Sequence, residues 1–367
     1  MLSSAAEINR TASQLVQPDA IINPRFFLAS VSKGWKPRVV AVSRAGALVG
    51  VMYAKERVIS GVPTGVVYAD GSLDDIFLAG PEHREDAFCV AVETLLACSR
   101  IRGVRLRLLR GSSELAAIRR LVASRPIDSR YFRIKYRALD LWKFHAHLEL
   151  PESYEQFLAR LGGTARHNFR YYRRRFEKAG HRLVQNLSLE ELRVAATSLA
   201  EKSKFAEVPQ PNEFEGMLRM MEATGRPLAI GLRHHNGEWL SVIGGWYRPD
   251  GAVLLFQMNN DRDFSRDSLS VVLRGFLIEA LISQGLKEFV IWADTGPPLS
   301  RYVTYRPTIG VHLDRPTFAW RTARFFLSRG RPWMPKRLAW AAQWLAPVLV
   351  YSMSGWVLRV HRQILTT

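Results

Sequence analysis

Two α/β units in tandem (α+β in the broader sense), each built on a mixed and largely antiparallel sheet, are what this sequence predicts. Three observations predict it. The chain has 367 residues, more than one hydrophobic core usually serves. Its composition, 47% apolar and 23% charged, is that of a folded globular protein. And one order of elements, hairpin then strand then helix then strand, can be read twice along it.

The first reading begins at RVVAVSRAGALVGVMYA (38–54), which alternates and then turns at Ala45–Gly46 as a hairpin does. GVVYAD (65–70) is a further strand, REDAFCVAVETLLACSR (84–100) a helix, and GVRLRLL (103–109) a strand. In the second half, PLAIGLRHHNGEWLSVIGGWY (227–247) turns at Asn236–Gly237, the strongest short hairpin signal. AVLLFQMN (252–259) is a strand, RDSLSVVLRGFLIEALISQG (266–285) a helix, and KEFVIWA (287–293) a strand. The halves share a pattern and no detectable identity, so two unrelated α/β segments are the alternative.

The net charge is +19 and the isoelectric point near 10.4, a field that attracts polyanions: nucleic acid, CoA, nucleotide sugars or an anionic membrane. Cys89 and Cys98 lie nine residues apart in one predicted helix, roughly 13 Å along its axis, which is too far for a disulfide. Without a disulfide framework or a signal peptide, the expected compartment is the cytoplasm, extending to the inner face of the membrane. No CxxC, HExxH or comparable cluster suggests a metal, and none is expected.

RLGGTARHNFRYYRRRFEKAG (160–180) raises the sharpest question of function. On a helix, Ala165, Phe169, Tyr172, Phe176 and Ala179 form one apolar stripe. Thr164 is the expected N-cap and Gly180 the C-terminal stop. Arg166, Arg170 and Arg173 flank the stripe. Either they form a solvated face or they hold phosphate or carboxylate groups of a substrate, which guanidinium forks do well. Because the rings belong to the buried stripe, they cannot also stack on bases, and extended nucleic acid is disfavoured.

The basic helix RHNFRYYRRRFEKAG, the hairpin PLAIGLRHHNGEWLSVIGGWY, the stretch 254–292, and TG with RYVTYRP (295–307) occur in an order that resembles the GNAT superfamily. The resemblance is to its CelD/BcsL-like acetyltransferases, relatives of the Fem-type peptidoglycan aminoacyltransferases. It is good over about 150–310 and architectural before that. It implies two tandem GNAT-like domains: residues 1–145, a degenerate copy; 146–316, the acyltransferase; and 317–367, a basic and apolar helical extension. It further implies acetyl-CoA, or another acyl-CoA, held between splayed strands ending near Asn259 and Trp292. The pyrophosphate would lie at the helix opening around Ser265–Leu269, with Arg262, Arg266 and Ser268 beside it. A helix N-terminus offers free N–H groups and a positive dipole end there. Asp267 would repel a phosphate unless it caps that helix.

Acyl transfer from a thioester to an amine needs a base for the ammonium and an acid for the departing thiolate. Asp294, at the end of KEFVIWA, is the candidate base, and Tyr302 or Tyr305 the candidate acid. Loop and packing roles are the alternatives for all three, and His234–His235 read as exposed turn residues. The expected activity is acyl-CoA-dependent N- or O-acyl transfer to a sugar or envelope-polysaccharide precursor. The alternatives are a Fem-type transferase using aminoacyl-tRNA and a non-catalytic membrane-associated binding protein with a decayed CoA site.

After Asp314 no acidic residue remains, and residues 317–367 carry eight Arg or Lys. LAWAAQWLAPVLVYSMSGWVL (338–358) is uncharged, has three Trp, and is flanked by Lys336–Arg337 and Arg359. A buried helical hairpin, peripheral contact with anionic lipid through 332–362, and a membrane span are the readings open to it.

Overall fold

The computed structural model describes residues 1–12, 23–70, 77–124, 128–133, 145–203, 211–292, 295–296 and 298–315. The expected first hairpin is present as β1 (Trp35–Arg44) and β2 (Ala47–Ile59). Its turn places Ala45 and Gly46 at φ of 50° and 83°, the left-handed pair that a two-residue connection with the native strand twist requires. β3 (Val62–Asp70), the short β4 (Phe77–Ala79), α3 (Arg84–Ala97), β5 (Gly103–Leu109), α4 (Ser113–Ser124) and β6 (Asp128–Arg133) follow. β3 and β5 run parallel, joined by α3, whose Phe88, Ala91, Val92 and Leu95 are buried against the sheet. Cys89 and Cys98 are free thiols, as their spacing requires.

The second sheet repeats the plan. β9 (Pro227–Arg233) and β10 (Trp239–Tyr247) form the hairpin, β11 (Gly251–Asn259) the next strand, α9 (Leu269–Ser283) the helix and β12 (Glu288–Ile291) the parallel strand. β8 (Arg182–Gln185) adds to β9, while β7 (Ala146–Glu149) and β13 (Thr304–Tyr305) extend the sheet beyond β12. The strand order is β13-β7-β12-β11-β10-β9-β8. One face is covered by α5 (Tyr154–Arg160), α6 (Gly163–Lys178) and α9; the other by α7 (Leu189–Ala200) and α8 (Pro211–Ala223). α9 lies inside, apolar nearly all round, with Leu273, Ile278 and Leu281 wholly shielded from water.

Two connections tie the units together. β14 (Thr308–Asp314) leaves the second unit and inserts between β5 and β6 of the first sheet, antiparallel to both, so the sheets do not follow a division of the chain at residue 145. Asp314 meets Arg105 of β5 there at 2.7 Å, both side chains buried. From the other direction, α2 (Pro24–Ala29), which follows α1 (Ala5–Ala12), packs on α8. Its Phe26 sits edge-on to Trp246 of β10 at 5.5 Å, and Asn23 donates to the Ala223 carbonyl.

Two local expectations are corrected. The N-cap of α6 is Gly162, not Thr164, because the extended Gly162 backbone starts the helix two residues earlier. α9 begins at Leu269 rather than 266, because Ser268 adopts φ 47°, ψ 47° and breaks helical continuity. Among the described residues no helix is long and apolar enough to cross a membrane, and the tail 317–367 lies outside them.

Candidate functional site

The site begins with two adjacent glycines in β10. The β10–β11 register steps at Gly244/Gly245, pairing Gly244 with Phe256 and Gly245 with Leu254, so Leu255 is an extra, bulged residue. A Cβ on Gly245 would lie 1.8 Å from the Val253 carbonyl oxygen, and one on Gly244 would lie 2.4 Å from the Phe256 ring. Only glycine permits this bulge, and a bulge bends and further twists the strand that carries it.

On its other edge, β11 pairs with β12 from Gly251↔Glu288 to Leu254↔Ile291, and the Trp292 N–H donates to the Leu254 carbonyl at 2.9 Å. There the pairing stops, at the bulge. Among the described residues nothing pairs with Leu255–Asn259 on that side, leaving about 16 Å of strand edge. In the first sheet β3 pairs with β5 from Val66↔Gly103 to Asp70↔Arg107, and residues 71–76 lie outside the described ones.

Beyond Asn259 the chain folds into a compact loop. Asn260, wholly buried, accepts from the Asp263 N–H and donates to the Asp263 carboxylate, and its carbonyl accepts from the Phe264 N–H. The loop delivers the start of α9 with its first amides free. Val271 and Val272 N–H close onto the Ser268 carbonyl, whereas among the described residues nothing accepts from Leu269 or Ser270 N–H. No acidic residue stands in the first turn of α9. Asp267 does not cap it; its carboxylate pairs with Arg175 of α6 at 3.0 Å, which offsets the repulsion an anion would meet. Ser265, Arg262 and Arg266 are exposed around this point.

One half-buried cation spans the opening. Arg274 of α9 donates through Nε to Gln257 Oε1, on the unpaired stretch of β11, at 2.8 Å. Through Nη1 it donates to Thr295 Oγ1, on the chain leaving β12, at 2.6 Å. Burial pushes its pKa down to about 10, and among the described residues no carboxylate pairs with it. Gln257 passes the network to Asn259, whose Oδ1 also accepts from Ser241 Oγ at 2.6 Å. Arg274 thus ties the two walls of the opening to the helix behind it. The sequence reading missed it because nothing in an apolar helix pattern distinguishes a buried guanidinium from an exposed one.

Of the residues singled out from sequence, Asn259, Arg262, Ser265, Arg266, Ser268 and Leu269 all fall on the end of β11, its loop or the start of α9. The Tyr302 hydroxyl accepts from the Gly162 N–H at 2.6 Å, fastening the loop before β13 to the start of α6 and leaving its own proton free to donate. Tyr305 is half-buried in β13 against β7. Asp294 falls outside the described residues.

The three arginines have partners inside the protein. Arg166 donates to the Leu161 carbonyl at the end of α5. Arg170 pairs with Glu155 at 2.7 Å. Arg173 pairs with Glu177 and with Glu279 of α9, and stacks over the Phe276 ring at 4.4 Å. Burial acts to lower the Arg173 pKa, but the hydrogen bonds it donates to Glu177 and Glu279 outweigh it and raise the value. As the stripe predicts, Ala165, Phe169 and Phe176 are buried and Tyr172 packs on the same core, while Ala179 is exposed at the helix end.

Among solved structures, the fold is similar to that of FemX, at a TM-score of 0.56 and 10% identity, covering 81% of this chain and 89% of that one. It is similar to that of the C-terminal domain of a putative lysylphosphatidylglycerol synthetase from Agrobacterium fabrum, at 0.52 and 12%, covering 84% and 92%. A conserved protein of unknown function from Bacteroides thetaiotaomicron matches at 0.52 and 11%, covering 85% and 97%. The fold is the tandem GNAT-like fold. No family model and no curated protein matches the chain in sequence. At such identities the likeness concerns the GNAT-like backbone alone, and the chemistry has to be argued from the side chains above.

Proposed function

We propose that this chain is an acyl-CoA-dependent acyltransferase of the CelD/BcsL-like kind, acting by direct transfer on an amine or hydroxyl of a sugar or envelope-polysaccharide precursor. The observation that carries the reading is the opening between β11 and β12 with the uncapped start of α9 at its end. The edge of Leu255–Asn259 that faces away from β10 suits the amide-bearing arm of a CoA thioester, which would lie along it as an added strand does. The free Leu269 and Ser270 amides suit its pyrophosphate, with Ser265, Ser268, Arg262 and Arg266 adding donors and charge.

In this reading Asp294 takes the proton of the attacking amine or hydroxyl, whose lone pair forms the new bond to the thioester carbon. The C–S bond then breaks, and Tyr302 or Tyr305 supplies a proton to the departing thiolate. Arg274 is a positioning residue: it fixes Gln257 and Thr295 across the opening. In this reading the first unit is a degenerate copy that shapes the acceptor side. Thermal shift against a panel of CoA thioesters tests the proposal. Acetyl-CoA or a longer acyl-CoA should raise the melting temperature, by about 2.7 kcal/mol of added stability at a hundredfold excess over Kd. No shift with any thioester would overturn it.

A second reading is a Fem-type transferase using aminoacyl-tRNA. The shared fold with FemX and the +19 charge favour it. Its mark would be tRNA binding with a steep loss of affinity as salt rises, in place of a response to CoA thioesters.

A further inference from the structure

Antiparallel pairing of β8 with β9 sets Arg182 opposite Arg233. Continuing that register past the strand ends places His181, the residue after Gly180 at the close of α6, opposite His234. The hairpin tip then adds His235. The rings meet: centroids are 4.5 Å apart for His181–His234, 5.6 Å and parallel for His181–His235, and 4.0 Å for His234–His235. One ring nitrogen from each lies within 4.8 Å of those of the other two. Phe176 and Phe264 back the group at 5.3 Å from His181 and 5.6 Å from His234.

This packing needs an explanation, because His181 Nδ1 is shielded from water and has no hydrogen-bond partner. Three imidazoles in contact have little to gain from one another, but together they form a nitrogen donor set for a metal ion. We propose that His181, His234 and His235 bind a divalent transition metal of the zinc class, joining the β9–β10 hairpin tip to the α6–β8 turn. Tetrahedral zinc holds imidazole nitrogens at about 2.0–2.1 Å, hence roughly 3.3 Å from one another. The rings therefore close by about 1.5 Å or less, which exposed His235 at the hairpin tip accommodates. Binding through His234 also releases the bond that its Nδ1 accepts from the Asn236 N–H at 3.3 Å. Metal at Nδ1 displaces that donor directly, and metal at Nε2 requires a proton on Nδ1. Three ligands leave a fourth position for water. The site stands independently of the transfer reading.

The experiment uses tag-free, chelator-stripped full-length protein. Zn2+ is titrated by calorimetry, and Co2+ is followed by its visible d–d absorption. About one Zn2+ per chain is expected, with a rise in melting temperature. Replacing a ligand should cost at least what loss of an outer-shell partner does, so His181→Gln, His234→Gln and His235→Gln should each weaken binding by roughly 10–100-fold or more. His235→Gln changes an exposed side chain and keeps the test valid if His181→Gln disturbs folding. The proposal is overturned if wild-type protein shows no saturable Zn2+ binding. It is equally overturned if folded His181→Gln binds Zn2+ as tightly as wild type, since the hairpin pair alone would then be the chelator.

Discussion

At the scale of single residues, the informative positions are charges taken out of water. Arg105 and Asp314 face each other inside the first sheet, with Arg105 Nε and Asp314 Oδ2 left without partners. Asp314→Ala strands the guanidinium and should cost about 3–5 kcal/mol in chemical denaturation. Arg105→Met with Asp314→Leu should recover most of that loss; a single variant within 1 kcal/mol of wild type, on the order of an exposed pair, would show that water reaches the site. Glu288 titrates in the opposite corner of the second sheet. The hydrogen bond from His147 holds its carboxyl below the ordinary range, against the effect of burial, and the nearby Arg306 and Arg248 lower it further. Its folded pKa is thus depressed, so its stabilising contribution is complete above the unfolded value of about 4.3 and is lost as pH falls through the folded one. Melting temperatures between neutral pH and pH 3 should therefore fall less steeply for Glu288→Gln than for wild type, with the curves parting below about pH 4.5.

At the scale of elements, the bulge at Leu255 and the helix behind it define the opening. Gly245→Ala drives a methyl into the Val253 carbonyl, backbone that cannot swing aside, and should destabilise by about 3 kcal/mol. Equilibrium unfolding would measure this; a neutral effect would mean the register can slip and the opening is not fixed by the glycine pair. Arg274→Met leaves Gln257 Oε1 and Thr295 Oγ1 without their donor but also removes a partly desolvated cation that no described carboxylate balances. These effects oppose each other, so the net change should stay within about 2 kcal/mol. Acyl transfer should fall by tenfold or more, about 1.4 kcal/mol in the barrier, chiefly in kcat, because the opening loses its tie. Arg274→Lys should not rescue it, since one ammonium cannot copy the two divergent bonds of the fork.

At the scale of the whole molecule, the units exchange elements: β14 completes the first sheet and Phe26 of α2 enters a core of the second. They should therefore unfold together, and calorimetry should give one transition with matching calorimetric and van't Hoff enthalpies. Two separated transitions would mean these exchanges carry little energy. The +19 charge acts over longer distances. Its concentration in 317–367 predicts co-sedimentation with anionic vesicles, weakening as salt rises and lost on deletion of 332–367, with neutral vesicles as the control.

How much of this was legible in advance depends on the range of the interaction concerned. The two hairpins, a helix read as 84–100 and found as 84–97, the basic helix with its buried stripe, and the strand ending at Asn259 with a helix soon after it could all be read from the sequence. Turn chemistry and apolar period act over a few neighbours, and the chain states them locally. The Gly244–Gly245 pair was also a readable bulge signal, passed over within a strong strand pattern. The partners of Arg166, Arg170 and Arg173 were out of reach, because Glu155, Glu279 and the Leu161 carbonyl approach them only once α5, α6 and α9 pack. The same holds for Arg274 bridging Gln257 and Thr295, for His181 meeting a hairpin more than fifty residues away, and for β14 joining the first sheet. By itself, the sequence determined which segments form helices and strands, the repeated order, and the basic character of the chain. Tertiary structure alone decided where the described pairing of β11 with β12 ends and which arginines pair within the protein, because both depend on packing and register between segments distant along the chain.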